Sequence, residues 1–132
     1  MLGTPSFGLV RTLDCPFDEG VERIRTSLAA HGFGVLTEID FAGAMKKKLG
    51  HDMRPYLILG ACHPPSAWES VQAEPAIGLL LPCNVVVTTD DEGHAVLGAI
   101  NPDAMFSVVS APGVEAVAAD VLARLQGALD DA

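Results

Sequence analysis

Two segments of the chain set a cysteine beside a proline at the edge of an apolar run. The first reads Tyr56-Leu57-Ile58-Leu59-Gly60-Ala61-Cys62-His63-Pro64-Pro65, and the second Gly78-Leu79-Leu80-Leu81-Pro82-Cys83-Asn84-Val85-Val86-Val87. Cys62 and Cys83 offer thiols, His63 a titratable imidazole and Asn84 an amide. A thiol that ends a strand and precedes a proline-marked helix would feel the positive end of the helix dipole, which favours the thiolate. Burial works in the opposite direction, and cysteine is often a fully buried small hydrophobe, so inert packing is the plain alternative.

If the two apolar runs are neighbouring strands, their thiols lie near each other at one end of a sheet. A reversible disulfide would need Cα atoms within roughly 7 Å. No Cys-x-x-Cys motif supports it. Cys62, His63 and Cys83, with His51 or His94 as a distant fourth, have the donor types of a zinc, copper or iron site. Their spacing matches no zinc module, and adjacent Cys62 and His63 would point to opposite sides of a strand. We assign no metal and no cofactor.

Other chemistry lacks a signature. There is no Gly-x-Ser-x-Gly elbow and no phosphate-binding loop. Gly32-Phe33-Gly34 is a lone Gly-x-Gly, explained by a helix cap and a strand entry. Asp40, Asp90 and Asp91 suit caps and turns. His31 and His94 read as solvated surface residues, and Trp68 as a packing anchor.

The elements that would position these residues follow from periodicity. Phe7 to Leu13 is a first strand. A helix opens near Cys15-Pro16 and places Phe17, Val21, Ile24 and Leu28 on one stripe, with Gly32 as its C-terminal cap. Phe33 to Ile39 is a strand, and Asp40 caps a short helix bearing Phe41, Met45 and Leu49. Tyr56 to Ala61 is a buried strand. Pro65 to Ala73 is helical, opened either by a Ser66/Glu69 capping box or by Pro64.

Asn84–Thr89 and His94–Ile100 flank Asp90-Asp91-Glu92-Gly93 as a hairpin. Met105 to Val109 forms a helical turn or a short strand. Val114, Val117, Val121, Leu125 and Leu129 mark a C-terminal amphipathic helix, with Asp130 to Ala132 frayed. The expected core includes Ile24, Leu28, Leu59, Val86, Val121 and Leu125. These elements predict one α+β domain over residues 1–132. Its order is β-α-β-α-β-α-β-β-α, with a mixed sheet of about five strands and helices mainly on one face. Such an arrangement leaves an apolar sheet face that a homodimer would cover.

Composition agrees with a packed domain: 132 residues, 49% hydrophobic and 19% charged. A formal charge of −9 argues against nucleic-acid or anionic-membrane partners. Lys46-Lys47-Lys48 is far short of a nucleic-acid footprint and reads as a solvated helix face. With no leader pattern, no apolar run long enough to span a bilayer and an odd three cysteines, a soluble cytoplasmic protein is expected.

The blocks Leu59-Gly60-Ala61-Cys62-His63-Pro64 and Gly78-Leu79-Leu80-Leu81-Pro82-Cys83-Asn84-Val85, together with Gly32 to Asp40 and the segment containing Pro102, resemble the domain-of-unknown-function family 302. The resemblance runs over nearly the whole chain and implies a compact, dimeric α/β domain with no assigned activity. His63 stands where the family's motif has Asn, and Asn101-Pro102 where it often has Asp-Pro.

Three functions are consistent with these residues, and whether the protein is an enzyme stays open. The favoured one is a homodimeric module that binds a small molecule near Cys62, His63, Cys83 and Asn84, since clustered strand ends beside helix starts commonly hold ligands. The second is a thiol-dependent redox or metal-handling protein using Cys62 and Cys83. The third is a structural interaction domain in which the cysteines only pack.

Overall fold

In the computed structural model, which describes residues 2–132, five strands form one sheet in the order β1-β5-β4-β3-β2. The strands are β1 (Gly8–Thr12), β2 (Gly34–Asp40), β3 (Leu57–Cys62), β4 (Cys83–Thr89) and β5 (Ala95–Ile100). The helices are α1 (Phe17–Ala30), α2 (Phe41–Leu49), α3 (Pro64–Ala73), α4 (Pro102–Phe106) and α5 (Val114–Asp131). A 3₁₀ turn at Pro75–Leu80 joins α3 to β4. The α+β class and the helix-bearing order agree with the expectation, with α4 as an added short helix.

The sheet is antiparallel at every pairing, not mixed. A helical crossover suggests parallel neighbours only when the two strands lie side by side. Here β1 and β2 run in the same direction but occupy opposite edges, and α1 carries the chain across the sheet between them.

Local chemistry explains the boundaries. Helix α1 closes in a Schellman arrangement: Gly32 has φ +87°, its N–H donates to Ala29 O, and Phe33 N–H donates to Leu28 O. The Asp40 side chain accepts from Gly43 N at 2.9 Å and caps α2. Helix α3 starts at Pro64 with His63 as its N-cap, so proline marks the start and the capping box does not form. In the hairpin, Asp90 Oδ1 accepts from Glu92 N and His94 N, and Gly93 takes φ +84°.

The core lies between one sheet face and a layer made chiefly of α1 and α5. Leu57, Leu59, Ala61, Val85, Val87, Leu97 and Ala99 of the sheet meet Ile24 and Leu28 of α1 and Val117, Val121, Leu125 and Leu129 of α5. Gly20 lies where α1 crosses β5: a Cβ there would sit 2.4 Å from Ala95 Cβ. The glycine therefore permits a close helix–sheet approach.

Three further expectations are corrected. Val86 is only half-buried and faces away from the core, because side chains alternate along β4 between Val85 and Val87. Asp130 to Ala132 do not fray: α5 runs to Asp131 and Ala132 is buried. Arg11 donates to the Leu129 and Asp130 carbonyls and Arg23 to Ala132 O, which supplies cations and donors to the helix C-terminus. His31 is half-buried rather than solvated, with Nδ1 2.8 Å from Ser27 O and Nε2 3.0 Å from Asp131.

The opposite face of the sheet carries an apolar row. Val10, Gly98, Val86, Ile58 and Ile39 are successive cross-strand partners over all five strands. No helix among the described residues is long and apolar enough to cross a membrane.

Candidate functional site

The ends of β3 and β4 bring the two sulfur-bearing segments together. Ala61 is the register partner of Cys83, so Cys62 is diagonal to it. Beside them a pocket of about 280 Å³ opens on the α3 side of the sheet, lined by Cys62, His63, Ser66, Ala67, Cys83 and Val121 among others. Phe33 and Phe106 add aromatic wall and Leu36 the wall toward β2. The register of β2 slips between Val35 and Thr37, a bulge that leaves Leu36 exposed at the edge of the sheet.

Cys62 and His63 share this pocket because the strand stops between them. Cys62 is the last residue of β3 and His63 the N-cap of α3, so strict alternation no longer applies. Asn84, one residue beyond Cys83, obeys it and turns to the opposite face. There it lines a separate concavity of about 380 Å³ with Val10, Val86, Gly98 and Ile100. Three of the four residues singled out from the sequence are thus brought together, and Asn84 is not.

The imidazole of His63 is held from two sides. Its ring meets Phe33 edge-on at a centroid distance of 6.0 Å. Its Nδ1 lies 2.6 Å from Ser66 Oγ, and the Ser66 hydroxyl reaches Asp120 Oδ2 on α5 at 3.5 Å. Arg124 Nε donates to the same carboxylate oxygen at 3.0 Å. Ser66 in turn receives support from below, as Ser70 Oγ donates to its carbonyl. The sequence offered Ser66 only as a capping residue and did not single out Asp120. The one available signal was Ser66 three residues after His63, a spacing that puts them on adjacent positions of a helical turn.

Electrostatics favour uncharged side chains here. Burial raises the Cys62 thiol above its ordinary value. Burial, with the neighbouring Cys62 adding to it, pushes Cys83 up to about 11. His63 moves down, because burial and then the Arg124 cation disfavour imidazolium more than Asp120 and Glu69 favour it. The expected help from the helix end is weak for a local reason: Pro64 and Pro65 occupy the first turn of α3 and carry no N–H to offer a thiolate. Both sulfurs are free thiols.

The donor atoms of Cys62, His63 and Cys83 do not form a metal-binding group. Among the described residues that proximity is met by Asp90, Glu92 and His94 in the hairpin loop. There Asp90 is already engaged by the backbone N–H groups of the turn. Trp68 is not a packing anchor: it is 69% exposed on the outer side of α3.

Residues 9–132 match the family described as Domain of unknown function DUF302. The chain is also similar to a solved structure, the crystal structure of uncharacterized conserved protein DUF302 from Bacillus stearothermophilus. The two agree with a TM-score of 0.88 at 29% identity, over 96% of this chain and 98% of that one. No curated protein matches. The resemblance carried by the Cys62 and Cys83 segments is thereby borne out, and the chain belongs to the DUF302 family.

Proposed function

We propose that this domain binds a neutral, largely apolar small molecule in the pocket formed by Cys62, His63, Ser66, Ala67, Cys83 and the aromatic walls Phe33 and Phe106. The observation that carries this reading is the pocket of about 280 Å³ at the ends of β3 and β4, walled by Phe33, Leu36, Phe106 and Val121 with few polar groups, where burial also favours the uncharged thiols and imidazole. An anion would find two of the first-turn N–H groups of α3 missing, because Pro64 and Pro65 carry none, and a cation would find no carboxylate in the lining. Apolar walls with a few convergent polar groups are the usual composition of a ligand site. The same protonation state disfavours thiol chemistry near neutral pH, since the thiolate is the reactive form.

The test compares benzyl alcohol with benzoate by ligand-observed NMR at pH 7. Binding of the alcohol with little or none of the carboxylate supports the reading. Benzoate binding as tightly as the alcohol overturns it.

A second part of the reading concerns assembly. The row Val10, Gly98, Val86, Ile58 and Ile39 contains no charged side chain, and we propose that a second copy of the chain covers it. The two functions then occupy opposite faces of one sheet.

A further inference from the structure

We propose that residues 2–7 act as a reversible cover over the β1–β5 side of the open sheet face, opposite α1 and α5, and so confine a second copy of the chain to the β2–β3–β4 side. This rests on the reading that a second copy covers that face. It adds which part of the face the partner meets and the segment that sets the boundary.

Two glycines make the seat. Along β5 the side chains of Leu97 and Ala99 are buried in the core, so a side chain at Gly98 would point to the open face. Gly8 lies on that same face, because it pairs with Ile100 while Val10 pairs with Gly98. A Cβ on Gly98 would sit 2.7 Å from Leu2 Cδ1, and one on Gly8 would sit 3.1 Å from Pro5 Cγ. Leu2 therefore fills a hollow that only glycine leaves open, and Pro5 sits tightly over the second. Burial follows the same pattern. Within residues 2–7, Leu2 and Pro5 are half-buried, whereas Gly3, Thr4, Ser6 and Phe7 are exposed.

The cover stops part-way across the sheet. On the cross-strand row, Gly98 is buried, Val86 and Ile58 are half-buried, and Ile39 is 49% exposed. Next to the segment lies the concavity of about 380 Å³, lined by Leu2, Pro5 and Phe7 together with Tyr56, Asn84 and Val86. The apolar surface left for a partner is thus Val86, Ile58 and Ile39.

The attachment is light. Pro5 O accepts from Gly8 N at 3.2 Å and Phe7 O from Asn101 N at 2.8 Å, which anchors the end of the segment next to β1. Among the described residues, no backbone–backbone hydrogen bond holds residues 2–4, so that end rests on the Leu2 side chain. A contact of this kind opens locally without breaking the ladder of the sheet. With the segment lifted, the apolar row is open across all five strands, and the wider face drives association beyond a dimer.

Two variants lift the segment by different means and leave the sheet intact. Leu2→Ser removes the anchor. Gly98→Ala pushes the anchor out: the added Cβ closely meets only the flexible end of Leu2, with Leu9 O next at 3.8 Å. Wild-type protein must show a nuclear Overhauser contact between the Leu2 methyls and the Gly98 α-protons, and its absence overturns the inference. Each variant should then bind the dye ANS several-fold more strongly than wild type, and sedimentation velocity should show species larger than the wild-type dimer. A wild-type dimer whose mass and dye binding are unchanged in both variants overturns the inference while leaving the second copy in place. Variants that fall to monomers also overturn it, because the segment would then be part of the contact rather than its boundary. A monomeric wild type removes the second copy, and this inference with it.

Discussion

At the residue scale the two pocket thiols have different fates. Cys62 is partly exposed, whereas Cys83 is 6% exposed and Cys15 is buried. Brief iodoacetamide labelling of native protein, read by mass spectrometry, should therefore modify Cys62 first. Its rate should be slow at neutral pH and climb in alkali, because burial has raised its pKa. Fast neutral labelling would show a thiolate that this environment does not support. Cys83 also makes stability depend on pH. Its folded pKa of about 11 lies above the ordinary 9.0, so from pH 9 upward the unfolded chain loses this proton first. Stability is complete below pH 9 and falls by on the order of 2–3 kcal/mol as pH approaches 11. Urea midpoints across that range should decline for the wild type and decline less for Cys83→Ala; parallel declines would contradict the assignment. Both thiols were visible in the sequence as candidates, but not the sign of their shifts. That sign depends on burial and on two prolines at the helix start, and only the prolines are written in the chain.

At the scale of elements, the helices and strands were legible because each carries its own periodicity and punctuation. Gly32, Asp40, Pro64 and the Asp90–Gly93 turn all act where their chemistry predicts. What could not be read was how elements meet. Glycine lowers helix propensity, yet Gly20 of α1 sits against Ala95 with no room for a methyl group. Gly20→Ala, which raises helix propensity, should therefore destabilise the protein by about 1–3 kcal/mol. A higher denaturation midpoint for the variant would contradict the packing. Leu28→Ala and Leu125→Ala remove side chains from the α1–α5–sheet contact, and each should cost about 2–5 kcal/mol. Val86 shows the same limit from the other direction. Val85, Val86 and Val87 are apolar on both sides of the strand, so the exposed Asn84 two residues earlier was the one local mark of the open side.

At the scale of the whole molecule, the antiparallel topology decides where chemistry can sit. Placing β1 and β2 at opposite edges leaves β3 and β4 adjacent, with the Cys62 and Cys83 segments at one end. It also sends Asn84 to the far face, a separation that a one-residue alternation imposes and that linear proximity hid. Light scattering should give the mass of a dimer at micromolar concentration, with an interface on the order of 1,200 Å² or more in total. Ile58→Lys and Val86→Lys should convert it to a monomer, whereas a monomeric wild type would remove the proposed second copy. The most direct measurement distinguishes the two concavities on either side of the sheet. Backbone-amide shift mapping with benzyl alcohol should move Phe33, Cys62, Ala67, Cys83 and Val121 together, and Ala67→Phe, which fills the pocket, should abolish the response. Shifts confined to Val10, Val86 and Ile100, or unchanged by Ala67→Phe, would contradict a ligand site at the two cysteines.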